Sequence, residues 1–263
     1  MLVVNFPSST MFHRHLDLLY VLVRRNLKIK YQGTVLGFLW ALLQPALTAL
    51  LLISVFSYVV RIPITNYWAF LISGFIVWNF IQQCINAGAF TFSDHRNVVR
   101  SVYLPKELLV ISAVLSRLFE FAAALLVVLL ILVLAHHQTV PASLLTLPVL
   151  IVLQILLAAG FAFPMAIISV WYHDVQHMLP VLLMALFYAS PIFYPVSFVP
   201  EAVRSLYLLN PIAQLLRLYH ITLFEGRFPS VVELTGAVLA GLIVFSLGYL
   251  FYFRYQRNIA EFV

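Results

Sequence analysis

The chain has 263 residues, of which 63% are hydrophobic and 9% are charged, whereas soluble proteins average about 25% charged residues. This composition excludes a soluble globular protein and predicts one integral membrane domain over residues 1–263. The net charge of +6 does not indicate nucleic-acid binding, because ten of the fifteen Lys and Arg residues lie in three clusters that flank apolar stretches.

The first predicted element is an amphipathic helix over residues 11–32. On a helical wheel, apolar side chains from Leu16 to Tyr31 share one face, and basic side chains such as Arg25 and Lys28 lie on the opposite arc. A basic amphipathic helix lies along the membrane surface with its cations toward anionic lipid headgroups. The pattern predicts an interfacial helix and leaves open whether that helix also contacts a cytoplasmic partner.

Six membrane-spanning helices are predicted next, because about 20 apolar residues cross a bilayer core about 30 Å thick. The charge-poor stretches place them at residues 34–60, 67–91, 108–134, 147–171, 179–195 and 231–253. Ser230 and Glu233 have the spacing of a capping box at the start of the sixth span. The basic clusters, including the loop 92–107, all fall on one side of the membrane, which predicts cytoplasmic N- and C-termini.

The clearest charges inside a predicted span are Arg117 and Glu120. Their i, i+3 spacing places them on one face of the third span. Charges at membrane depth pair, face protein or water, and mark functional positions. The pair is interpreted mainly as a buried lock between helices, with a functional role as the alternative.

The short loop between the fourth and fifth spans contains His173 and His177, separated by four positions as in the H-E-x-x-H motif of zinc proteases. Asp174 takes the place of the glutamate, and no third ligand stands nearby in the sequence. The loop is therefore interpreted as a solvated turn, with a metal site as the minor alternative.

Residues 190–230 form a proline-broken segment after the fifth span. Its helix-breaking positions are Pro191, Pro195, Pro200, Asn210 and Pro211. Broken backbone is not tolerated against lipid, so the segment must pack within protein or line an aqueous path. Because it is strongly apolar, it is predicted to be a re-entrant external cap or gate rather than an ordinary loop.

Aromatic residues make up 15% of the chain. Flat aromatic rings suit the apolar faces of sugar rings, although most aromatic residues of a membrane protein face lipid or pack between helices. The candidates for contact with a sugar in a channel are Trp40, Tyr58, Trp68, Trp78, Tyr188 and Tyr194.

The sequence contains no G-x-x-x-x-G-K-[ST] motif, so ATP binding through a phosphate-binding loop is not expected in this chain. If transport is uphill, its energy must come from a partner or an ion gradient.

Several of these features together resemble a known family. The run Arg25–Tyr31, then Leu36–Trp40 and Pro45, is similar to the entry of the first span in type-2 ATP-binding-cassette exporter permeases. The run Ser190–Pro200, followed by Asn210-Pro211, is similar to the external gate of that family. The branch it most resembles comprises the permeases that export O-antigen, capsule or teichoic acid on a polyprenyl lipid.

This resemblance implies two copies of the chain working with two copies of a separate ATPase subunit, which would bind the ATP and Mg²⁺. The chain itself would hold no cofactor, and it would lie in the bacterial inner membrane. The resemblance also implies that spans one and five line a channel between the two copies for a polyprenyl-linked polysaccharide. The residues implied at the ATPase boundary are Asp94, Arg96 and Arg100 in the coupling loop 92–107, with Arg25 and Lys28 in the N-terminal helix.

Two other classes of function remain open from the residues alone. An ion-coupled carrier would transport without an ATPase and would depend on Glu120. A membrane-embedded enzyme acting on lipid-linked sugars, or a metalloprotease using His173 and His177, would be active without ATP.

Overall fold

The structure is a computed structural model that describes residues 8–101, 104–136 and 141–256. Within these ranges the chain forms ten α-helices joined by turns, and no strand occurs among the described residues. The α-helices are α1 (Ser8–Tyr31), α2 (Trp40–Ser54), α3 (Tyr67–Asp94), α4 (Arg96–Ser101), α5 (Glu107–His136), α6 (Leu147–Trp171), α7 (Val175–Tyr188), α8 (Glu201–Tyr207), α9 (Pro211–Tyr219) and α10 (Val231–Tyr255).

Five helical stretches are long and apolar enough to cross a membrane. They are Gly37–Val59, Tyr67–Asp94, Glu107–Leu134, Ala142–Trp171 and Val231–Tyr255. The first contains α2 between a 3₁₀ turn and a π-helical turn, and the fourth contains a 3₁₀ turn followed by α6. These stretches confirm an all-α membrane protein and match predicted spans one, two, three, four and six.

The predicted fifth span, residues 179–195, is shorter than expected. The apolar helix here, α7, has 14 residues, or about 21 Å at 1.5 Å per residue. It ends at Tyr188 because Ser190 and Pro191 begin a turn. The apolar stretch continues past this point in sequence, but the helix does not.

The N-terminal helix α1 packs along α5, and its orientation differs in part from the prediction. Leu22 and Val23 are buried, whereas Leu16 and Tyr20, placed on the predicted apolar face, are exposed. Some of the apolar side chains of α1 therefore pack against the bundle, and others lie on the exposed surface of the helix.

The buried centre of the bundle is α3, which packs against α5 and α6, while α6 also packs against α10. Small residues allow these close approaches, as is usual between membrane helices. A Cβ atom on Gly88 would lie 2.7 Å from the carbonyl oxygen of Ala162. A Cβ atom on Gly248 would overlap the carbonyl oxygen of Gly160.

Part of the segment 190–230 packs into the bundle, whereas residues 201–206 are mostly exposed. Helix α9 buries most of its side chains, and the π-helical turn His220–Phe224 follows it. The His220 ring stacks on Phe70 of α3 with ring centroids 4.1 Å apart, and Gly74 leaves room for it. The segment ends at the predicted capping box, which is confirmed: the Ser230 hydroxyl accepts from the Glu233 N–H, and the Glu233 carboxylate accepts from the Ser230 N–H.

The contact between Gly160 and Gly248 provides a test of the α6–α10 packing. We expect Gly248→Ala to destabilise the protein by about 1–3 kcal/mol, because the added methyl group forces two backbones apart. Gly236→Ala is the matched control on the same helix, since its Cβ would meet only the Gln214 side chain at 3.7 Å. Thermal unfolding can be followed with a thiol-reactive dye, because the single cysteine, Cys84, is buried. Equal melting temperatures for the two variants would contradict this packing.

Candidate functional site

A cavity with a volume of about 680 Å³ lies between α2, α3 and α7. The end of α1 and one residue of α5 complete its walls. Three kinds of side chain line it: aromatic rings, side-chain amides and one ion pair. These residues are Lys30, Tyr31, Trp40, Gln44, Phe75, Trp78, Asn79, Gln82, Gln83, Asn86, Glu120, Phe187 and Tyr188, and Thr48 and several apolar residues complete the lining.

The aromatic wall includes three of the six residues predicted to contact a sugar. Trp40 and Tyr188 are partly exposed, whereas Trp78 is buried. The other three candidates lie outside the lining. Tyr58 is 77% exposed in the π-helical turn after α2, and the Tyr194 hydroxyl is held in the segment after α7, where it donates to the Tyr188 carbonyl at 2.8 Å.

The side-chain amides of α3 were not among the site residues predicted from the sequence. Asn79, Gln82, Gln83 and Asn86 follow the i, i+3, i+4, i+7 spacing of one helical face. In an otherwise apolar span, this spacing is a signal that sequence inspection could have used, because amides facing hydrocarbon would be costly. All four line the cavity.

The ion pair predicted between Arg117 and Glu120 is present, with Arg117 Nη1 lying 2.8 Å from Glu120 Oε1. A third member comes from α1: Lys30 Nζ lies 2.7 Å from Glu120 Oε2 and donates to Gln83 Oε1 at 2.9 Å. Burial, and then the positive charge of Arg117, lower the pKa of Lys30, and the hydrogen bond to Glu120 opposes them. This charged trio joins α1 to α5 beside the cavity, and the hydrogen bond from Lys30 to Gln83 adds a contact with α3.

The predicted coupling loop is partly helical. Helix α3 continues to Asp94, and the short helix α4 begins at Arg96. Asp94, Arg96 and Arg25 of α1 line one cavity of about 290 Å³ together with His95, whose pKa is lowered by burial. The loop and the N-terminal helix thus meet in space.

Two further residues predicted at the ATPase boundary do not add to this cluster. Lys28 is exposed on α1 and is absent from that cavity lining. The side chain of Arg100 lies outside the described part of the chain, as do residues 102–103. The role of this region in coupling stays a prediction.

Most of the predicted gate residues lie at the starts of short helices. Pro195 and Pro200 precede the 3₁₀ turn Val196–Phe198 and α8, and Pro211 is the first residue of α9. Asn210 caps α9 by accepting from the Ile212 N–H at 3.0 Å. Gating by this segment stays a prediction.

The turn after α7 is tied to the start of α9. Pro191 lies in that turn, and the neighbouring Ser190 hydroxyl accepts from the Asn210 side-chain amide at 3.3 Å. The end of α7 is therefore fixed to the start of α9.

The metal-site alternative gains no support from the geometry. Among the residues that the structure describes, no group of three or more His, Cys, Asp or Glu side chains could hold a metal ion. His173 and His177 flank the start of α7 and are exposed.

A bundle of apolar helices with a polar and aromatic cavity between them is the architecture of a membrane transport protein. The chain belongs to the ABC-2 type transporter family, whose model matches residues 17–224. Transporters of this family work with an ATP-binding subunit.

Curated relatives match almost the full chain. It is 32% identical over 234 residues to the O-antigen export system permease protein RfbA of Myxococcus xanthus, covering 88% of this chain and 90% of the relative. An RfbA protein of Klebsiella pneumoniae is 25% identical over 88% of this chain and 91% of its own length. The polysialic acid transport protein KpsM of Escherichia coli is 24% identical over 87% of this chain and 89% of its own length.

The arrangement of the charged trio predicts unequal losses of stability for substitutions of Glu120 and Lys30. We expect Glu120→Gln to destabilise the protein by about 1–3 kcal/mol, because it leaves two cations without their carboxylate. Breaking a fully buried ion pair costs about 3–5 kcal/mol. The expected loss here is smaller because both cations are partly exposed. Lys30→Gln should cost less, because the pair between Arg117 and Glu120 survives. The same thiol-dye unfolding assay measures both variants. A larger loss for Lys30→Gln than for Glu120→Gln would show that Glu120 is not the centre of the trio.

Proposed function

We propose that this chain is the transmembrane subunit of an ATP-driven exporter that moves a lipid-linked polysaccharide across the bacterial inner membrane. The observation that carries the proposal is the cavity between α2, α3 and α7, since amides and aromatic rings line it within an otherwise apolar bundle. Relatives named for O-antigen export and polysialic acid transport support a polysaccharide as the cargo.

Two copies of the chain form the channel in this proposal. The cavity is bounded by α2 and α7, whose residues Leu51 and Val181 are exposed and lie outside the cavity lining. A second copy placed against these helices would close the open side and double the amide and aromatic surface. A hydrated glycan needs more room than one cavity of about 680 Å³ provides.

The energy comes from a separate ATPase that binds ATP and Mg²⁺. The region of Asp94, Arg96 and Arg25 is proposed as its contact, because a helix following α3 and the N-terminal helix meet there. The charged trio lies between this region and the cavity, and it is a physical link through which movement of α1 reaches α3 and α5. Both termini are proposed to face the cytosol, on the side of the three basic clusters.

Deletion of the gene tests the proposed function. We expect the deletion strain to lose its surface polysaccharide and to accumulate lipid-linked polymer inside the cell, because synthesis continues without export. A plasmid copy of the chain should restore the surface polymer. Unchanged surface polysaccharide in the deletion strain would contradict the proposal.

Co-purification tests the requirement for a motor. Mild solubilisation of native membranes that contain a tagged chain should recover a second protein with a phosphate-binding-loop motif. Its ATP hydrolysis should fall when Arg96 and Arg25 are both replaced by Glu, because the contact surface reverses its charge. Recovery of the chain without any ATPase would contradict an ATP-driven exporter and would favour an ion-coupled carrier.

A further inference from the structure

We propose that the cavity selects an uncharged, hydroxyl-rich sugar chain and discriminates against polyanionic glycans. The selecting residues are Gln44 of α2 with Asn79 and Gln82 of α3, here called the amide cluster. This inference rests on the proposed function, since it specifies the class of polysaccharide that the same cavity accepts. The relatives do not decide the matter, because one is named for O-antigen and another for polysialic acid, which is a polyanion.

The first observation is the charge of the lining. Among the described residues that line the cavity, Lys30 and Glu120 are the charged ones, and they pair with each other at 2.7 Å. Lys30 Nζ also donates a hydrogen bond to Gln83 Oε1. The cavity therefore offers no uncommitted cation to a carboxylate or sulfate of a passing glycan.

The second observation is the hydrogen-bonding state of the amides. Within the described chain, the side chains of Gln44, Asn79 and Gln82 have no hydrogen-bond partner, although other amides of the lining do. Each amide carries two donors and an acceptor. A sugar hydroxyl also donates and accepts, so it can satisfy either side of an amide.

The third observation is the position of the rings beside the amide cluster. Trp40 and Tyr188 line the same cavity and expose 40% and 53% of their surface. Such rings present flat apolar faces with a polar edge. Amides for the hydroxyls and rings for the apolar faces together match a neutral pyranose chain.

The energetic reason for the selection is the cost of removing part of the water shell of a charged group beside a lining that offers it no counter-charge. An anionic residue that contacts the rings and amides gives up hydration without gaining a cation, so its binding is disfavoured. A neutral sugar exchanges hydrogen bonds with water for hydrogen bonds with amides, which is nearly balanced. The same cavity therefore passes one class of polymer and resists the other.

Binding to the full chain in lipid nanodiscs tests the selection directly. The probes are a neutral hexose oligosaccharide and an oligosialic acid of the same length. We expect the neutral probe to bind at least about tenfold more tightly. Equal or tighter binding of oligosialic acid, or no binding of the neutral probe, would overturn the proposal.

Variants identify the residues responsible. The double substitution Asn79→Leu and Gln82→Leu should weaken binding of the neutral probe about tenfold, because the hydrogen bonds of two amides to sugar hydroxyls are lost. Gln82→Arg should increase binding of oligosialic acid. The matched control is Gln32→Arg, which adds the same charge at an exposed position outside the lining and should leave the preference unchanged. An equal gain from both arginine variants would assign the effect to overall charge and overturn the proposal.

The same experiments separate the two proposals. If deletion blocks export but the purified chain binds both probes equally, the proposed function stands and the selection fails. If deletion leaves the surface polysaccharide unchanged, the proposed function fails whatever the binding assay shows. The Cys84 unfolding assay verifies that each variant is folded before binding is compared.

Discussion

Each polar group that enters the hydrocarbon layer must find its partner inside the protein or in enclosed water. In this molecule the constraint acts most strongly on Glu120, which is 4% exposed and receives hydrogen bonds from both Lys30 and Arg117. Satisfying that carboxylate brings the N-terminal helix against the bundle. Lys30 and Glu120 also line the cavity, so the position of α1 and the shape of the cavity are set together.

The proline-broken segment 190–230 obeys the same constraint in part. Side chains of the protein satisfy some of the backbone carbonyl groups at its breaks. The Tyr67 hydroxyl donates to the Phe193 carbonyl at 2.8 Å, and Gln214 donates to the Leu208 carbonyl at 2.7 Å. The break after α7 thus becomes a packed structure at one end of the cavity, close to Tyr188.

Much of the fold could be predicted from the sequence because charge-poor stretches and basic flanks are local signals. The length of α7 could not be predicted, because the sequence stays apolar beyond Ser190 although the helix ends before it. The pair of Arg117 and Glu120 was visible from its spacing on one helix. Lys30 was not, because it lies 90 residues away from Glu120 on a helix assigned to the membrane surface.

The candidate site was only partly predictable for a related reason. An aromatic side chain in a span faces lipid, a neighbour or a cavity, and its type does not say which; Trp40 faces the cavity and Tyr58 does not. The amides are more informative, because Asn79 and Gln82 cannot face hydrocarbon without cost. Their spacing on α3 was the sequence signal that pointed to this wall.

The central claim is that the cavity beside α3 is a water-accessible path through the membrane. Thiol accessibility in native membrane vesicles tests it most directly, in a Cys84→Ser background that removes the native thiol. We expect Gln82→Cys to react with a charged, membrane-impermeant thiol reagent, and Leu247→Cys, on the exposed apolar face of α10, to remain unmodified. Protection of Gln82→Cys in the assembled transporter, with or without ATP, would contradict the claim.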